Sequence, residues 1–150
     1  MKLYLVQHGL ALPEEKDPKR PLSLEGRNET EKVANFLKSK NIHIACLWHS
    51  AKTRALETAE IILKAISCPQ IRQRNDLNPL DPVEKLPQQI LSLDKDLMIV
   101  GHLPHLEKLA SLLLAGSESS EIISFKNSGV VCLEYSERWR LSWMIISDII

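Results

Sequence analysis

Three cysteines in 150 residues, Cys46, Cys68 and Cys132, are too few, odd in number and too widely spaced for a disulfide framework, and they point to a reducing compartment. Net charge is lacking as well. The 19 Lys and Arg are balanced by 19 Asp and Glu, so no global field draws the chain to nucleic acid or to an anionic membrane. Any affinity for an anion must therefore come from a local cluster. No apolar run approaches the roughly 20 residues of a membrane span, and Leu3 to Val6 is too short to resemble a secretory leader. The expected location is the cytoplasm. No internal repeat, low-complexity tract or linker interrupts the sequence, so residues 1–150 read as a single domain, long enough to bury about 70% of its unfolded surface. The content of 44% apolar and 25% charged residues is that of an ordinary globular protein.

What is present is an alternation of strand and helix signals. Residues 2–7, KLYLVQ, form a compact apolar run ending at His8-Gly9, the mark of a buried strand. Residues 10–22, rich in Pro and charge, read as a loop. Ser23 is placed to cap a helix whose apolar positions include Val33, Phe36 and Leu37. Ile44 to His49 reads as a second strand and 52–66 as a helix, with Leu56, Ala59, Ile62, Leu63 and Ile66 on one face. Glu57, Glu60 and Lys64 then mark its wet face. The stretch 70–85, with Pro79 and Pro82, reads as irregular. Pro87 suits the first turn of a short helix ending near Leu93. Leu97 to Val100 is a further buried strand, followed by a helix over 104–115 that stops near Gly116. The runs VVCLEYS and RLSWMII, separated by residues 137–139, predict a β-hairpin. Strands alternating with helices predict an α/β fold: a three-layer α/β/α sandwich with a mostly parallel central sheet.

In such sheets ligands bind outside the carboxyl ends of the strands. Gln7-His8-Gly9, His49-Ser50 and Gly101-His102 fall at three such ends, and Arg54 lies in the first turn of the helix that follows Ser50. Two histidines, an arginine and a helix N-terminus converging on one crevice favour an anion. The chemistry this suggests is phosphoryl transfer, in which a neutral imidazole attacks phosphorus while cationic and N–H donors hold the oxygens.

The same residues resemble a known family. Gln7-His8-Gly9, Arg20-Pro21-Leu22-Ser23 with Gly26, Ser50-x-x-x-Arg54-Ala55-x-Glu57-Thr58-Ala59 and Val100-Gly101-His102-x-Pro104 are similar to motifs of the histidine phosphatase superfamily. The short length and the Gly-His-Leu-Pro-His segment resemble its SixA-type phosphohistidine phosphatases. The resemblance implies the fold of the phosphoglycerate-mutase-like enzymes and a phosphatase acting without cofactor or metal. It implies His8 as the phosphorylated nucleophile, and Arg54 and His102 as catalytic groups that bind the phosphoryl oxygens. Gln7, Gly9, Arg20 and Ser50 would be further phosphate- or substrate-binding positions. The implied partner is a phosphorylated protein, such as a histidine phosphotransfer domain or a phosphocarrier, with inorganic phosphate as product and no role for nucleic acid or membrane.

The family carries Arg immediately before the nucleophilic histidine, where this chain has Gln7. Gln keeps an N–H donor but loses the charge and the bidentate fork. A difference of about 1–2 kcal/mol in the transition state slows a reaction roughly 5- to 30-fold. The alternative is thus a module that binds phosphate or phosphohistidine and turns over poorly or not at all. No acidic residue matches a leaving-group acid by motif; Asp76 and Asp81 are the candidates. A metal hydrolase built on His102-x-x-His105 with His8 or His49 is disfavoured, because helical metal-binding pairs usually stand at i, i+4. His49 and His105 read better as structural or rim residues, His43 as solvated, and the cysteines as small core residues. The apolar ending Trp143 to Ile146, with Ile149-Ile150, could pack against a second copy in a homodimer.

Overall fold

The structure, a computed structural model, describes residues 1–150. Strands β1 (Lys2–Gln7), β2 (Cys46–Ser50), β3 (Gln70–Arg74), β4 (Leu97–Gly101), β5 (Val130–Tyr135) and β6 (Trp139–Ile145) form one six-stranded sheet in the order β3-β2-β4-β1-β5-β6. The first four strands are mutually parallel, and β5 and β6 add an antiparallel hairpin against β1. Parallel neighbours require crossovers, and these are the helices α1 (Leu24–Ser39), α2 (Thr53–Ala65) and α3 (Leu86–Leu93), with α4 (His105–Ala115) leading toward the hairpin.

The helices cover both faces of the sheet. On one face Tyr4, Val6, Leu47, Met98 and Val100 meet Val33, Ala34 and Leu37 of α1 and Ala55, Ala59 and Ile62 of α2. On the other, Leu3, Leu5, Trp48, Leu97 and Ile99 meet Leu86 and Ile90 of α3 and Leu106, Leu109 and Ala110 of α4. Strands apolar on both faces are what a covered parallel sheet demands. This is the three-layer α/β/α sandwich expected from the sequence.

The end signals hold for local reasons. The Ser23 hydroxyl accepts from Gly26 N at 3.0 Å, capping α1. Pro87 sits in the first turn of α3. Gly116 ends α4 in the left-handed region at φ 73°, which a side chain would resist.

Three expectations need correction. The segment 70–85 is not wholly irregular, since Gln70–Arg74 forms the edge strand β3. Its side chains are exposed on both sides of the sheet, so no apolar alternation announces it. The inward face of α2 is carried by Ala55, Thr58, Ala59, Ile61 and Ile62, with Leu56 and Leu63 only half-buried. Glu57 is no solvated residue: it accepts from Leu22 N at 2.8 Å and pairs with Arg27, tying α2 to α1 and to the loop before it. Most of the apolar chain ending is used internally, with Trp143 against the Tyr4 ring at 5.9 Å and Ile150 against the core. No helix is long and apolar enough to cross a membrane.

Candidate active site

Because β1, β2 and β4 run parallel in adjacent register, their carboxyl ends open on one edge. Gln7 is the register partner of Gly101, and His8 N donates to Gly101 O at 3.0 Å, so His8 and His102 leave neighbouring strands side by side. Their rings stand 5.0 Å apart, centroid to centroid, tilted by 56°. Arg54, from the first turn of α2, donates through Nε to His8 Nε2 at 3.3 Å. The sequence places these three residues far apart, and the fold brings them to one crevice.

The hydrogen bonds set the tautomer of His8. Its Nδ1 lies 2.7 Å from Gly9 O, a carbonyl that can only accept, so the ring proton sits on Nδ1. The lone pair is left on Nε2, aimed at Arg54. Burial, then the charges of Arg54 and Arg20, push His8 down to about 4, against the opposing Gly9 bond. Burial, then His8, Arg54 and Lys52, push His102 down to about 3. Arg54 is itself lowered, by burial and by Arg20. Both imidazoles are therefore neutral at pH 7, and the charged groups that act on them, Arg54, Arg20 and Lys52, are cationic. That field awaits an anion.

The surrounding residues explain the rigidity. Gly9 N donates to Thr58 Oγ1 at 2.9 Å, and Thr58 Oγ1 donates to Arg54 O at 2.7 Å, so one hydroxyl couples the His8 loop to the Arg54 turn. A Cβ on Gly9 would stand 2.7 Å from Thr30 Oγ1 and 3.1 Å from Ser128 Oγ, which explains glycine there. Asn127 Nδ2 donates to His8 O at 3.0 Å, and Ser128 N to Gln7 O at 3.0 Å. Ser50 Oγ shares a 2.7 Å hydrogen bond with His102 Nε2 and accepts from Lys52 N at 3.2 Å. Arg20 takes a left-handed backbone at φ 48° and donates through Nε to Leu12 O at 3.2 Å, close enough for its charge to act on His8 and Arg54. Gln7 brings no charge, and its buried Oε1 has no hydrogen-bond partner.

Of these supports, Asn127, Ser128 and Thr30 carry no signal in the sequence. They are tied in by hydrogen bonds that span 98 to 121 residues of sequence. Thr58 stands inside the Arg54 motif, and its spacing of four from Arg54 is the legible clue to its role. Lys52, next to the α2 start, adds a further cation acting on His102.

Other candidates lie aside. Asp76 is paired with Arg74 Nε at 2.8 Å, and Asp81 accepts from Asn78 N at 2.8 Å. Both face His105, whose proton affinity burial lowers and these carboxylates partly restore. His105 is fully buried, with neither ring nitrogen in hydrogen-bond geometry. His49 is buried and held through Nδ1 to Ser50 O at 3.0 Å, and His43 is exposed. No three His, Cys, Asp or Glu side chains cluster closely enough to hold a metal ion.

The depressed imidazoles carry a pH signature. Unfolded histidine takes a proton near pH 6.5, whereas these native rings refuse it until about 4 and about 3. The unfolded state then binds more protons, so stability is full above pH 6.5 and falls as pH drops toward 4. The loss at pH 4.5 is on the order of 2 kcal/mol per ring. Melting curves at pH 7.5 and 4.5 check this: His102→Gln, which removes one titrating ring, loses less on acidification than the native chain. An equal loss would show that the rings do not drive it.

A covered parallel sheet with an arginine and two neutral histidines at its carboxyl edge is the frame of a phosphoryl-handling enzyme. The chain belongs to the histidine phosphatase superfamily (branch 1), whose family model matches residues 3–98, and it is a phosphatase by kind. It is 24% identical over 151 residues to the phosphohistidine phosphatase SixA of Escherichia coli (strain K12), covering 97% of this chain and 93% of that protein. An uncharacterised protein of Picosynechococcus sp. is 29% identical over 140 residues, covering 89% of this chain and 84% of its own length. The solved structure of the protein histidine phosphatase SixA complexed with tungstate superposes with a TM-score of 0.88 at 23% identity, over 99% of this chain and 98% of that one.

Proposed function

We propose that this chain removes phosphoryl groups from histidine residues of a partner protein through a phospho-His8 intermediate. The observation that carries the reading is the disposition of His8: a neutral ring, its proton held on Nδ1 by Gly9 O, its Nε2 lone pair beside Arg54 and His102. Nε2 attacks phosphorus, a new N–P bond forms, and the N–P bond to the substrate imidazole breaks. The leaving imidazole takes its proton from solvent. Water then attacks phospho-His8, inorganic phosphate departs, and the lone pair returns to Nε2. Arg54, His102 and Arg20 hold the phosphoryl oxygens, with Gln7 and the Ser50 hydroxyl as neutral neighbours and Gly9 orienting His8.

The substrate class is supported by the missing acid. The groups acting on His8 and His102 include no carboxylate. An ester oxygen leaves poorly without an acid, whereas an imidazole nitrogen protonates near neutral pH and leaves without one. The name of the Escherichia coli relative, a phosphohistidine phosphatase, points the same way.

Gln7 favours a second reading, a module that binds the phosphorylated group and turns over slowly or not at all. Hydrolysis of a histidine-phosphorylated phosphotransfer domain separates the two. Native turnover that rises roughly 5- to 30-fold in Gln7→Arg, the worth of an added charged donor, identifies an enzyme with a weakened clamp. Turnover present only in Gln7→Arg identifies the binding module. A native rate unchanged by the substitution would remove position 7 from the site.

A further inference from the structure

Three of the large apolar side chains that the fold leaves in water stand on the same edge of the sheet as His8. Leu24, in the first turn of α1, is 76% exposed, Leu80 is 84% exposed, and Leu10 is 38% exposed. Leu10 lies two residues beyond His8, and its carbonyl accepts from Ser23 N at 2.9 Å and from the Ser23 hydroxyl at 3.1 Å, which sets Leu24 beside it. Leu80 belongs to the loop leaving the carboxyl end of β3. Leu77 and Val83 of that loop share a core cluster with Leu106 of α4, the helix that begins three residues after His102, so the Leu80 loop lies against the element that leaves the pocket.

The leucines flank the pocket from opposite faces. Leu24 begins the helix whose Val33, Ala34 and Leu37 pack on the Tyr4 and Val6 face of the sheet. The Leu80 loop packs through Leu77 and Val83 on the Leu3 and Leu5 face. The pocket itself is cationic, with Arg54 and Arg20 acting on His8 and Lys52 on His102. A small phosphorylated metabolite would fill the cationic centre and leave the leucines in water. A phosphorylated side chain on a folded protein would place its anion at the centre and its own surface over the apolar rim.

We infer that Leu24 and Leu80, with Leu10, form the docking rim for a folded protein that presents its phosphorylated side chain between apolar surfaces. The inference rests on the proposed function and names the part of the partner that this site reads. Interface anchors of this kind act through binding, so they change kcat/KM for the protein substrate by way of KM.

The test measures hydrolysis of a histidine-phosphorylated phosphotransfer domain and of phosphoramidate by the native chain, Leu24→Ser, Leu80→Ser and the double variant. Leu141→Ser serves as control: Leu141 is 46% exposed and pairs with Leu133 at the far end of the sheet, beside Leu3. Both tested side chains lie in water, so their truncation leaves the core intact. The expected result is a fall of about tenfold in kcat/KM on the phosphorylated domain for each leucine, with phosphoramidate hydrolysis within about twofold of native and the control unchanged. Equal losses on both substrates, no loss on either, or losses matched by Leu141→Ser would overturn the docking rim. Native hydrolysis of phosphoramidate without hydrolysis of the phosphorylated domain would instead overturn the substrate class and, with it, the rim.

Discussion

Replacing His8 by alanine will take phosphatase turnover to the solvent background, a loss of about three orders of magnitude or more, because the proposed covalent path runs through its Nε2. The fold will survive the change. His8 contributes its backbone to the sheet through Gly101 O, and alanine keeps that N–H. The melting temperature at pH 7.5 should therefore stay within a few degrees of native. Arg54→Ala should lose about a hundred- to a thousandfold, the range seen when one pre-organised donor is removed from a charged transition state. Acid-quench of a reaction run with radiolabelled substrate would usually destroy a phosphohistidine, so the trapped intermediate must be sought under alkaline denaturing conditions. Labelled protein in the native chain and none in His8→Ala is the expected pattern. Label retained in His8→Ala would move the nucleophile to another residue.

The second large effect lies away from the reacting atoms, at Gly26. A Cβ built there would stand 2.1 Å from Leu10 O and 2.9 Å from Leu10 C and N. Leu10 cannot retreat freely, since its carbonyl is held by both the backbone N–H and the hydroxyl of Ser23. Gly26→Ala must therefore open the first turn of α1 or push out the loop that begins at His8. Overpacking of this kind costs about 3 kcal/mol or more, which lowers the melting temperature by roughly 10 °C for a chain of this size. Activity should fall further than stability alone explains, because Gly9 and Arg20 lie on the displaced segment. Thermal melts beside kcat/KM at 20 °C measure both. A native melting temperature in Gly26→Ala would show that the close approach of Leu10 is not what requires glycine.

How far the sequence carries a reader depends on the range of each signal. His8, Arg54 and His102 were legible because each follows an apolar strand or begins a helix, and strand ends of a parallel sheet share an edge. Ser23, Pro87 and Gly116 were legible because caps are local chemistry. Strand β3 was not, for Gln70 to Arg74 lie exposed on an edge and owe their conformation to pairing with β2 alone. Glu57 looked like one charge among several on a helix, yet its partners, Leu22 N and Arg27, come from another segment. Asn127 and Ser128 sit in an unremarkable polar stretch and gain meaning only where β5 returns beside β1.

The central place of β1 in the strand order has a consequence for biosynthesis. His8 leaves the ribosome well before the residues its backbone is bonded to, Gly101, Asn127 and Ser128. Strand β1 has no neighbour in the sheet until β4 and then β5 arrive. Pairings of such long sequence separation form late and slowly. A growing chain therefore holds the His8 imidazole before it holds the cradle that fixes the ring, and the site assembles only once β5 has emerged.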